Sequence, residues 1–294
     1  MGDSAMAVLS ATRRFRAVAT ATALLAALTP AATPAAAARK PAPVVAVALG
    51  DSITRGFNAC GFYRDCPKRS WSTGGDAAVR SHAQRLPVAT GVRIRAVNLA
   101  RSGAKAAALA GQAAQAAEAR ARYVTVEIGA NDVCTSSEDA MTPVADYRAA
   151  IREGLEVLRT GAPQARVLVA SIPDVGRLWE IGKGRWQVRQ VWDRLDVCPS
   201  MLAYPTSERR EDVERRERVR TRVKQFNAVL EAECAAYGPQ CRYDGGAVFR
   251  ARFQLGQVSK WDYFHPSTSG QRLLAEVSWK AGFFAAEPAR AGGA

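Results

Sequence analysis

The sequence contains very little histidine. Among 294 residues there are only two, His82 and His265, and none of the six cysteines forms a Cys-x-x-Cys pair. Zinc sites are built mainly from these residue types at short spacings. We therefore expect no metal site, and a general base that relies on imidazole must be one of these two residues.

Long apolar runs are also scarce. Residues 17–28 form the only one near the N-terminus, after Arg13, Arg14 and Arg16 and before the small-residue tract 35–38. A basic start, a short apolar middle and an Ala-x-Ala end predict a secretory signal peptide at residues 1–38, followed by a single domain at residues 39–294. No later segment is long and apolar enough to cross a bilayer. We expect a secreted, extracellular protein, and the paired arginines leave the export route open.

The charge balance is strongly basic. The formal net charge is +14, and it falls to +12 without residues 1–38, which carry three arginines and one aspartate. Such an excess favours transient contact with anionic surfaces, phospholipid among them. The basic residues alternate with acidic ones and are not collected with aromatic residues, which argues against nucleic acid as a partner. A general surface field that keeps the protein in solution, as a monomer, is the simplest interpretation.

Six cysteines in an exported chain indicate disulfides. Fifteen pairings are possible. Proximity in sequence favours two local pairs and leaves one long-range pair: Cys60–Cys66, Cys234–Cys241 and Cys134–Cys198.

The hydrophobic pattern alternates between buried strands and amphipathic helices. The unbroken apolar run at residues 44–49 is typical of a strand buried on both faces of a parallel sheet. The same reasoning predicts further strands at residues 92–99, 123–128, 166–172 and near 242–243. Helices are expected at residues 76–86, 105–122, 143–158, 207–230 and 267–285, with Val213, Val219, Val223, Phe226 and Leu230 on the inner side of the fourth. Residues 177–205 look like an insertion, and the whole pattern indicates an α/β protein with a doubly wound parallel sheet.

Ser52 follows the first predicted strand directly. Ligand sites in such sheets lie outside the carboxyl ends of the strands, where a serine hydroxyl and its N–H can face one cleft. This position favours a nucleophile. The alternative is that Ser52 only caps the next helix.

Three further residues fit acyl transfer at the same edge. Gly103 and Asn131 follow the second and third strands and, with the Ser52 N–H, offer hydrogen-bond donors for an oxyanion. His265 precedes a helix and is the candidate base, whereas His82 lies in a predicted helix and is expected to pack in the core. Asp262, three residues before His265, can orient its imidazole. The backbone carbonyl of Trp261 is the alternative for that role.

These blocks resemble the SGNH hydrolases, also called GDSL esterases/lipases. The resemblance covers most of the chain after the signal peptide and is carried by Gly50-Asp51-Ser52, Gly103, Gly129-Ala130-Asn131-Asp132 and Asp262-x-x-His265. It implies a three-layer α/β/α flavodoxin-like fold around a parallel sheet of about five strands. It also implies Ser52 as nucleophile, His265 as base, and Ser52 N–H, Gly103 N–H and the Asn131 amide as the oxyanion hole, with no cofactor. The cysteine-containing early loop is similar to the secreted actinobacterial branch, and the absence of Gly-x-Ser-x-Gly argues against an ordinary α/β-hydrolase.

The expected activity is hydrolysis of carboxylic esters through an acyl-serine intermediate. A lipid or short-acyl ester is the favoured substrate, with loop aromatics as candidates for an acyl pocket: Phe57, Phe62, Tyr63, Trp71 and Trp179. The alternatives are removal of acetyl groups from a polysaccharide, on which aromatics would stack, and a secreted binding protein without turnover.

Overall fold

A computed structural model describes residues 42–284, which contain one five-stranded parallel sheet. Its strands are β1 Val44–Gly50, β2 Ile94–Asn98, β3 Tyr123–Glu127, β4 Arg166–Val169 and β5 Cys241–Tyr243. They lie in the order β2-β1-β3-β4-β5, and every neighbouring pair is parallel. The α/β class with about five parallel strands, predicted from the alternation of patterns, is confirmed.

Strand β1 owes its central position to its apolar sequence. It pairs with β2 on one side and β3 on the other, and residues 45–50 are all buried. The chain leaves β1 toward β2 and returns to the opposite side of β1 to form β3. Such a reversal opens a crevice at the carboxyl end of the central strand, and Gly50 ends β1 at that point.

Ten α-helices lie within the described residues. They are α1 Ser52–Arg55, α2 His82–Thr90, α3 Leu109–Glu118, α4 Ala130–Val133, α5 Val144–Gly161, α6 Val175–Gly182, α7 Trp186–Arg194, α8 Pro199–Leu202, α9 Arg210–Tyr237 and α10 Thr268–Ala281. Short 3₁₀ turns occur at Pro67–Arg69, Ala106–Ala108, Glu138–Ala140 and Leu255–Gln257.

Alternate residues of β1 contribute to two different cores. Val45, Val47 and Leu49 pack in a large cluster with residues of α3, α5 and α9, whereas Ala46 packs with Leu86 of α2 and with aromatic residues at the end of α10. Successive side chains of a strand point to opposite faces, so helices cover both sides of the sheet. This is the three-layer α/β/α arrangement that the resemblance implied.

The helix predicted at residues 76–86 is wrong in its position. The helix begins at His82, because Ser81 caps it and forms a capping box with Gln84. Arg80, with φ of 54°, turns the chain just before it. Residues 77–79 form turns, so Ala77 and Ala78 do not lie on a helix.

The long charged helix, predicted at residues 207–230, runs instead from Arg210 to Tyr237, and its first turns bury other residues than predicted. Helix α9 continues to Tyr237, and Val213, predicted to face inward, is 42% exposed. Asp212 and Arg216 are the buried residues in this first part, because Asp212 accepts hydrogen bonds from Arg209 and Arg215. The ion pairs of Asp212 with Arg209 and Arg215 therefore decide which face of the first turns of α9 packs against the protein.

All six cysteines are in disulfides: Cys60–Cys66, Cys134–Cys198 and Cys234–Cys241, the pairs that sequence proximity favoured. The long-range bond ties the residue after α4 to the residue before α8. It therefore holds residues 177–205, which contain most of α6 and all of α7 and α8, beside the segment that follows β3.

The predicted signal peptide, residues 1–38, lies outside the described residues. Between residues 42 and 284, no helix combines the length and the apolar character needed to span a membrane.

Candidate active site

Ser52 is the first residue of a short helical turn at the end of β1. Asp51 caps this turn, since its Oδ1 accepts a hydrogen bond from Ile53 N–H at 2.8 Å. The alternative in which Ser52 itself is the cap is therefore wrong, and its hydroxyl is available for other contacts. Gly50 makes the turn possible: its φ is 145°, and a β-carbon there would collide with the carbonyl oxygen of Glu127.

A side chain distant in sequence holds Gly50 in place. Gln112 of α3 accepts from Gly50 N–H at 2.7 Å and donates to Gly50 O at 2.9 Å. Sequence reasoning missed Gln112, because a glutamine in an alanine-rich helix gives no signal of a tertiary role. The paired amide fixes the last residue of β1 and hence the start of the Ser52 turn.

His265 contacts both Ser52 and Asp262. Its Nε2 lies 2.8 Å from Ser52 Oγ, and its Nδ1 lies 2.6 Å from Asp262 Oδ2. An ionised carboxylate only accepts hydrogen bonds, so Nδ1 carries the proton and Nε2 is free to accept from the serine hydroxyl. The Asp262 carboxylate, and not the carbonyl of Trp261, is the partner of Nδ1 in this structure.

The Asp262 carboxylate is held by four hydrogen bonds. Its Oδ1 accepts from the backbone N–H groups of Phe264 and His265 at 2.9 and 3.1 Å. Its Oδ2 accepts from Asn58 Nδ2 at 2.6 Å as well as from His265. Burial alone would raise the pKa of Asp262, but hydrogen bonding and the charge of His265 hold it below its usual value. The carboxylate therefore stays ionised beside the imidazole.

Asn58 is the second residue that sequence reasoning missed. It lies in the loop clipped by Cys60–Cys66, is buried, and has φ of 59°, a left-handed conformation that asparagine tolerates better than most residues. Its backbone N–H donates to Arg64 O, and its carbonyl accepts from Ser259 Oγ at 3.0 Å. A glycine- and asparagine-containing turn was visible in the sequence, but its contact across about 200 residues with Asp262 was not.

Gly103 lies in the loop after β2, and Asn131 lies in the short helix α4 after β3. The N–H of Arg101 donates to Gly50 O at 3.1 Å, which joins the loop after β2 to the end of β1. Asn131 Nδ2 donates to Ala104 O at 3.0 Å and keeps a second amide hydrogen. Asp132 joins α4 to the segments on either side of it, since its carboxylate accepts hydrogen bonds from Ala106 N–H and from Thr142 Oγ1. The three donor-bearing positions are thus tied to one edge of the sheet.

His82 lies in the core, as predicted from its helical position, although it begins α2 and is not in the middle of a helix. Its Nδ1 is 2.7 Å from the Tyr123 hydroxyl and its Nε2 is 2.9 Å from Ser278 Oγ. Burial lowers the pKa of His82 to about 3. A neutral, fully partnered imidazole of this kind serves packing, so His265 is the histidine that contacts Ser52.

Two further carboxyl groups are buried behind the serine turn. Burial raises the pKa of Asp51 to about 7, with the charge of Asp132 contributing, and raises that of Glu127 on β3 well above its usual value, with the charge of Asp51 contributing. Each is therefore protonated at pH values where an exposed carboxyl is ionised. Asp262 is the carboxylate that is hydrogen-bonded to the imidazole.

The five aromatic residues proposed for an acyl pocket do not lie together. Trp71 is in the core, with its Nε1 donating to Thr54 Oγ1 at 3.1 Å. Trp179 has the Lys183 ammonium 3.8 Å and the Arg216 guanidinium 4.8 Å from its ring centre. Both are therefore wrong as pocket residues. Phe57, Phe62 and Tyr63 share the loop that carries Asn58, but Phe62 and Tyr63 are exposed and do not line the apolar pocket beside Ile53 and Pro266. Within residues 42–284, no group of three or more His, Cys, Asp or Glu side chains is arranged to hold a metal ion.

The arrangement of the site is suited to nucleophilic catalysis. A serine hydroxyl contacts an unprotonated imidazole nitrogen, and a buried carboxylate orients that ring, which is the relation between nucleophile, base and orienting group that acyl transfer needs. The candidate oxyanion donors, Gly103 N–H and the Asn131 amide, follow β2 and β3, the two strands that flank β1.

Comparison with known proteins identifies a matching family and similar folds. Residues 48–273 match the model of the GDSL-like lipase/acylhydrolase family. An extracellular lipase from Streptomyces rimosus is similar in structure, with 19% identity, a TM-score of 0.50, and coverage of 81% of this chain and 100% of that one. A phospholipase A1 from Streptomyces albidoflavus has 18% identity, a TM-score of 0.50, and coverage of 82% and 100%. No curated protein matches the sequence significantly. The chain belongs to the GDSL-like lipase/acylhydrolase family and is a carboxylic ester hydrolase.

Proposed function

We propose that the protein is a secreted serine esterase/lipase that hydrolyses lipid or short-acyl esters through an acyl-serine intermediate. The observation that carries the proposal is the hydrogen-bonded series Ser52 Oγ, His265 and Asp262, with contacts of 2.8 and 2.6 Å. Ser52 is the nucleophile, His265 the general base and Asp262 the group that orients it.

The first half-reaction forms the acyl-serine. His265 Nε2 takes the proton of Ser52 Oγ while that oxygen bonds to the ester carbonyl carbon. The Ser52 and Gly103 N–H groups and the Asn131 amide stabilise the resulting oxyanion. The bond to the alcohol oxygen then breaks, and the alcohol leaves with the proton from Nε2.

The second half-reaction releases the acid. Water gives a proton to Nε2 as its oxygen attacks the acyl carbon, and the same donors stabilise the second oxyanion. The bond to Ser52 Oγ then breaks, and Oγ recovers its proton from His265. No step needs a metal or an organic cofactor.

Secretion is supported by three disulfides and by the signal-peptide pattern at residues 1–38. The secreted actinobacterial branch of the family is the proposed origin. The disulfide-clipped loop of Asn58 and the alanine- and arginine-rich composition support it, and two structures of similar fold come from Streptomyces.

An apolar crevice lined by the sequence neighbours of Ser52 and His265 supports a short acyl group. It has a volume of about 40 Å³, and its lining includes Ile53, next to Ser52, and Pro266, next to His265. The rest of its lining is apolar apart from Asp174: Pro173, Val175, Leu178, Phe253, Val258 and Phe264. A site of this size and character favours an aliphatic chain of a few carbons over a sugar.

A substrate panel tests the proposed function. It comprises p-nitrophenyl esters of increasing acyl length, a phospholipid and acetylated xylan, each with wild-type protein and with Ser52→Ala. We expect the highest kcat/KM on lipid or short-acyl esters and none with Ser52→Ala. Turnover confined to acetylated xylan would support a polysaccharide O-acetyl esterase instead, and absence of turnover on every ester would leave a binding protein.

Asn58 provides a separate test of the orienting carboxylate. Asn58→Gly keeps the left-handed backbone and removes the amide that donates to Asp262, whereas Asn58→Asp keeps the shape and adds a second carboxyl. Losing one hydrogen bond to a buried charge predicts that kcat falls about 10–100-fold in either variant. The pKa of Asp262 should rise, so the acidic limb of the pH–rate profile is expected to move to higher pH.

The pH–rate profile distinguishes an effect on the Asp262 carboxylate from a loss of folded protein. Melting temperatures of both variants show whether the loop remains intact. A rate loss that only follows the loss of folded protein, with an unchanged pH profile, would show that Asn58 serves the loop and not Asp262.

A further inference from the structure

A line of aromatic rings leads from His265 to the protein surface. The ring centre of Phe57 lies 4.9 Å from that of His265, and Tyr63 lies 5.5 Å from Phe57. Phe62 lies 5.9 Å from Tyr63 and 5.6 Å from Trp261. We call Phe57, Phe62, Tyr63 and Trp261 the aromatic ledge.

The outer part of the aromatic ledge is unusually exposed for such large apolar groups. Tyr63 is 78% exposed, Phe62 54% and Trp261 39%. Single apolar side chains at a surface need no explanation, but a contiguous group beside an active site indicates an interaction surface.

The aromatic ledge is built on a fixed support. Phe62 and Tyr63 lie in the loop closed by Cys60–Cys66, Phe57 lies just before that loop, and Trp261 lies in the segment that carries Asp262. The Asn58 carbonyl accepts from Ser259 Oγ, and Asn58 Nδ2 donates to Asp262, so the two segments are joined beneath the rings. Docking on this ledge therefore needs little ordering of the chain.

The charges along the aromatic ledge are positive. Arg64 follows Tyr63, and the Lys260 ammonium lies 5.0 Å from the centre of the Trp261 ring. Both cations are exposed, and neither forms an ion pair within residues 42–284. The nearby carboxylates are engaged, since Asp65 pairs with Arg55 and Asp262 with His265. The ledge therefore complements an anionic partner.

The orientation of the rings distinguishes two classes of partner. Neighbouring rings are inclined by 78°, 46° and 55°, so they form no flat platform on which sugar rings stack. Lys260 also covers one face of Trp261. Protruding aromatic rings flanked by cations are instead typical of surfaces that insert at the boundary of a bilayer with anionic headgroups.

We propose that the aromatic ledge docks the enzyme on anionic phospholipid surfaces, with Phe62 and Tyr63 entering the interface and Arg64 and Lys260 contacting the headgroups. This rests on the proposed function, because docking there brings lipid esters to Ser52. Phe57 then lies between the bilayer and His265, at the entrance to the site.

Vesicle binding tests the docking without turnover. The Ser52→Ala protein is mixed with vesicles of phosphatidylcholine alone, or of phosphatidylcholine and phosphatidylglycerol in equal parts, and the bound fraction is measured by sedimentation. We expect preferential binding to the anionic vesicles, weakened at high salt. Adding Phe62→Ser and Tyr63→Asn should reduce this binding by about tenfold or more, and Lys260→Glu should remove the preference for the anionic lipid.

Matched controls separate the aromatic ledge from exposed aromatics in general. Trp186→Ser removes another exposed ring, on α7, and should leave vesicle binding unchanged. In the active background, the Phe62→Ser/Tyr63→Asn protein should retain wild-type kcat/KM on soluble p-nitrophenyl acetate and lose turnover of vesicle phospholipid.

The outcomes distinguish the two proposals. Equal binding of Ser52→Ala to both vesicle types, or wild-type binding by the ledge variant, would refute the docking surface while leaving the esterase intact. Selective loss of acetylated-xylan turnover in the ledge variant would assign the surface to polysaccharide. Absence of soluble-ester turnover in wild-type protein would refute the proposed function, whatever the vesicles show.

Discussion

Replacing Ser52 by alanine is expected to reduce kcat on a soluble ester by about 10⁴–10⁶-fold. The variant has no oxygen to form the acyl-enzyme, so only substrate binding and the oxyanion donors remain. The fold should be unaffected, because the hydroxyl's contact is with His265 and the turn is capped by Asp51. Steady-state kinetics with p-nitrophenyl acetate, and a melting curve, measure the two effects.

A covalent probe makes the Ser52 prediction specific. A fluorophosphonate should add its mass to the peptide that contains Ser52 in wild-type protein and leave the Ser52→Ala protein unlabelled. Ser269→Ala, which alters a serine at the start of α10, is the control and should keep full activity and labelling. Residual turnover of Ser52→Ala near the wild-type rate would exclude Ser52 as the nucleophile.

Asp262→Asn is expected to reduce kcat by about 10⁴-fold, the second-largest effect. Asparagine keeps the shape of the side chain, but its amide can donate to His265 Nδ1. The imidazole then carries its proton on Nε2, and Nε2 can no longer accept the proton of Ser52 Oγ. The imidazole would thus keep almost the same position but carry its proton on the wrong nitrogen. The loss of rate should therefore appear in kcat, with a smaller change in KM.

Two controls bracket the Asp262 prediction. Asp139→Asn makes the same chemical change at an exposed position and should have no effect on the rate. The melting temperature of Asp262→Asn reports whether the loss of the hydrogen bond from Asn58 Nδ2, which the new amide cannot accept, disturbs the segment 262–265. A near-normal kcat with an intact fold would transfer the orienting role to a backbone carbonyl such as that of Trp261.

The strands were predictable because their signal is local. The Val-rich run of β1 is buried on both faces, and an apolar run without alternation is what that environment requires. The same holds for β3, all five residues of which are buried. The order in which helix and strand patterns alternate then limited the topology to a parallel sheet.

Helix boundaries were less predictable because capping interactions, and not only the helix propensity of the residues, decide where a helix begins. Residues 76–86 contain good helix formers, yet the capping box of Ser81 and Gln84 and the left-handed Arg80 moved the start to His82. In α9, the periodic position of Val213 suggested burial, but the pairing of Asp212 with arginines turned another side toward the protein.

The residues of the candidate site also fall into two groups, those that local sequence patterns predicted and those that they did not. Ser52, Asn131 and His265 were inferred from their places after strands or before a helix, and from the scarcity of histidine. Gln112 and Asn58 were not, because each acts through one hydrogen-bonded contact with a residue about 60 or 200 positions away. No local pattern records such a contact.

The sequence by itself determined the α/β class, the candidate nucleophile and base, and the cysteine pairs, because each depends on residue type at a short spacing or on a count with few alternatives. Only the tertiary structure decided that Asp262, and not the carbonyl of Trp261, contacts His265 Nδ1, and that Phe57, Phe62, Tyr63 and Trp261 form one surface. The physical reason is that hydrogen bonds of 2.6–2.8 Å and ring contacts depend on how separate loops approach each other. The relative position of these loops is set by the packing of the whole domain and not by the residues in contact.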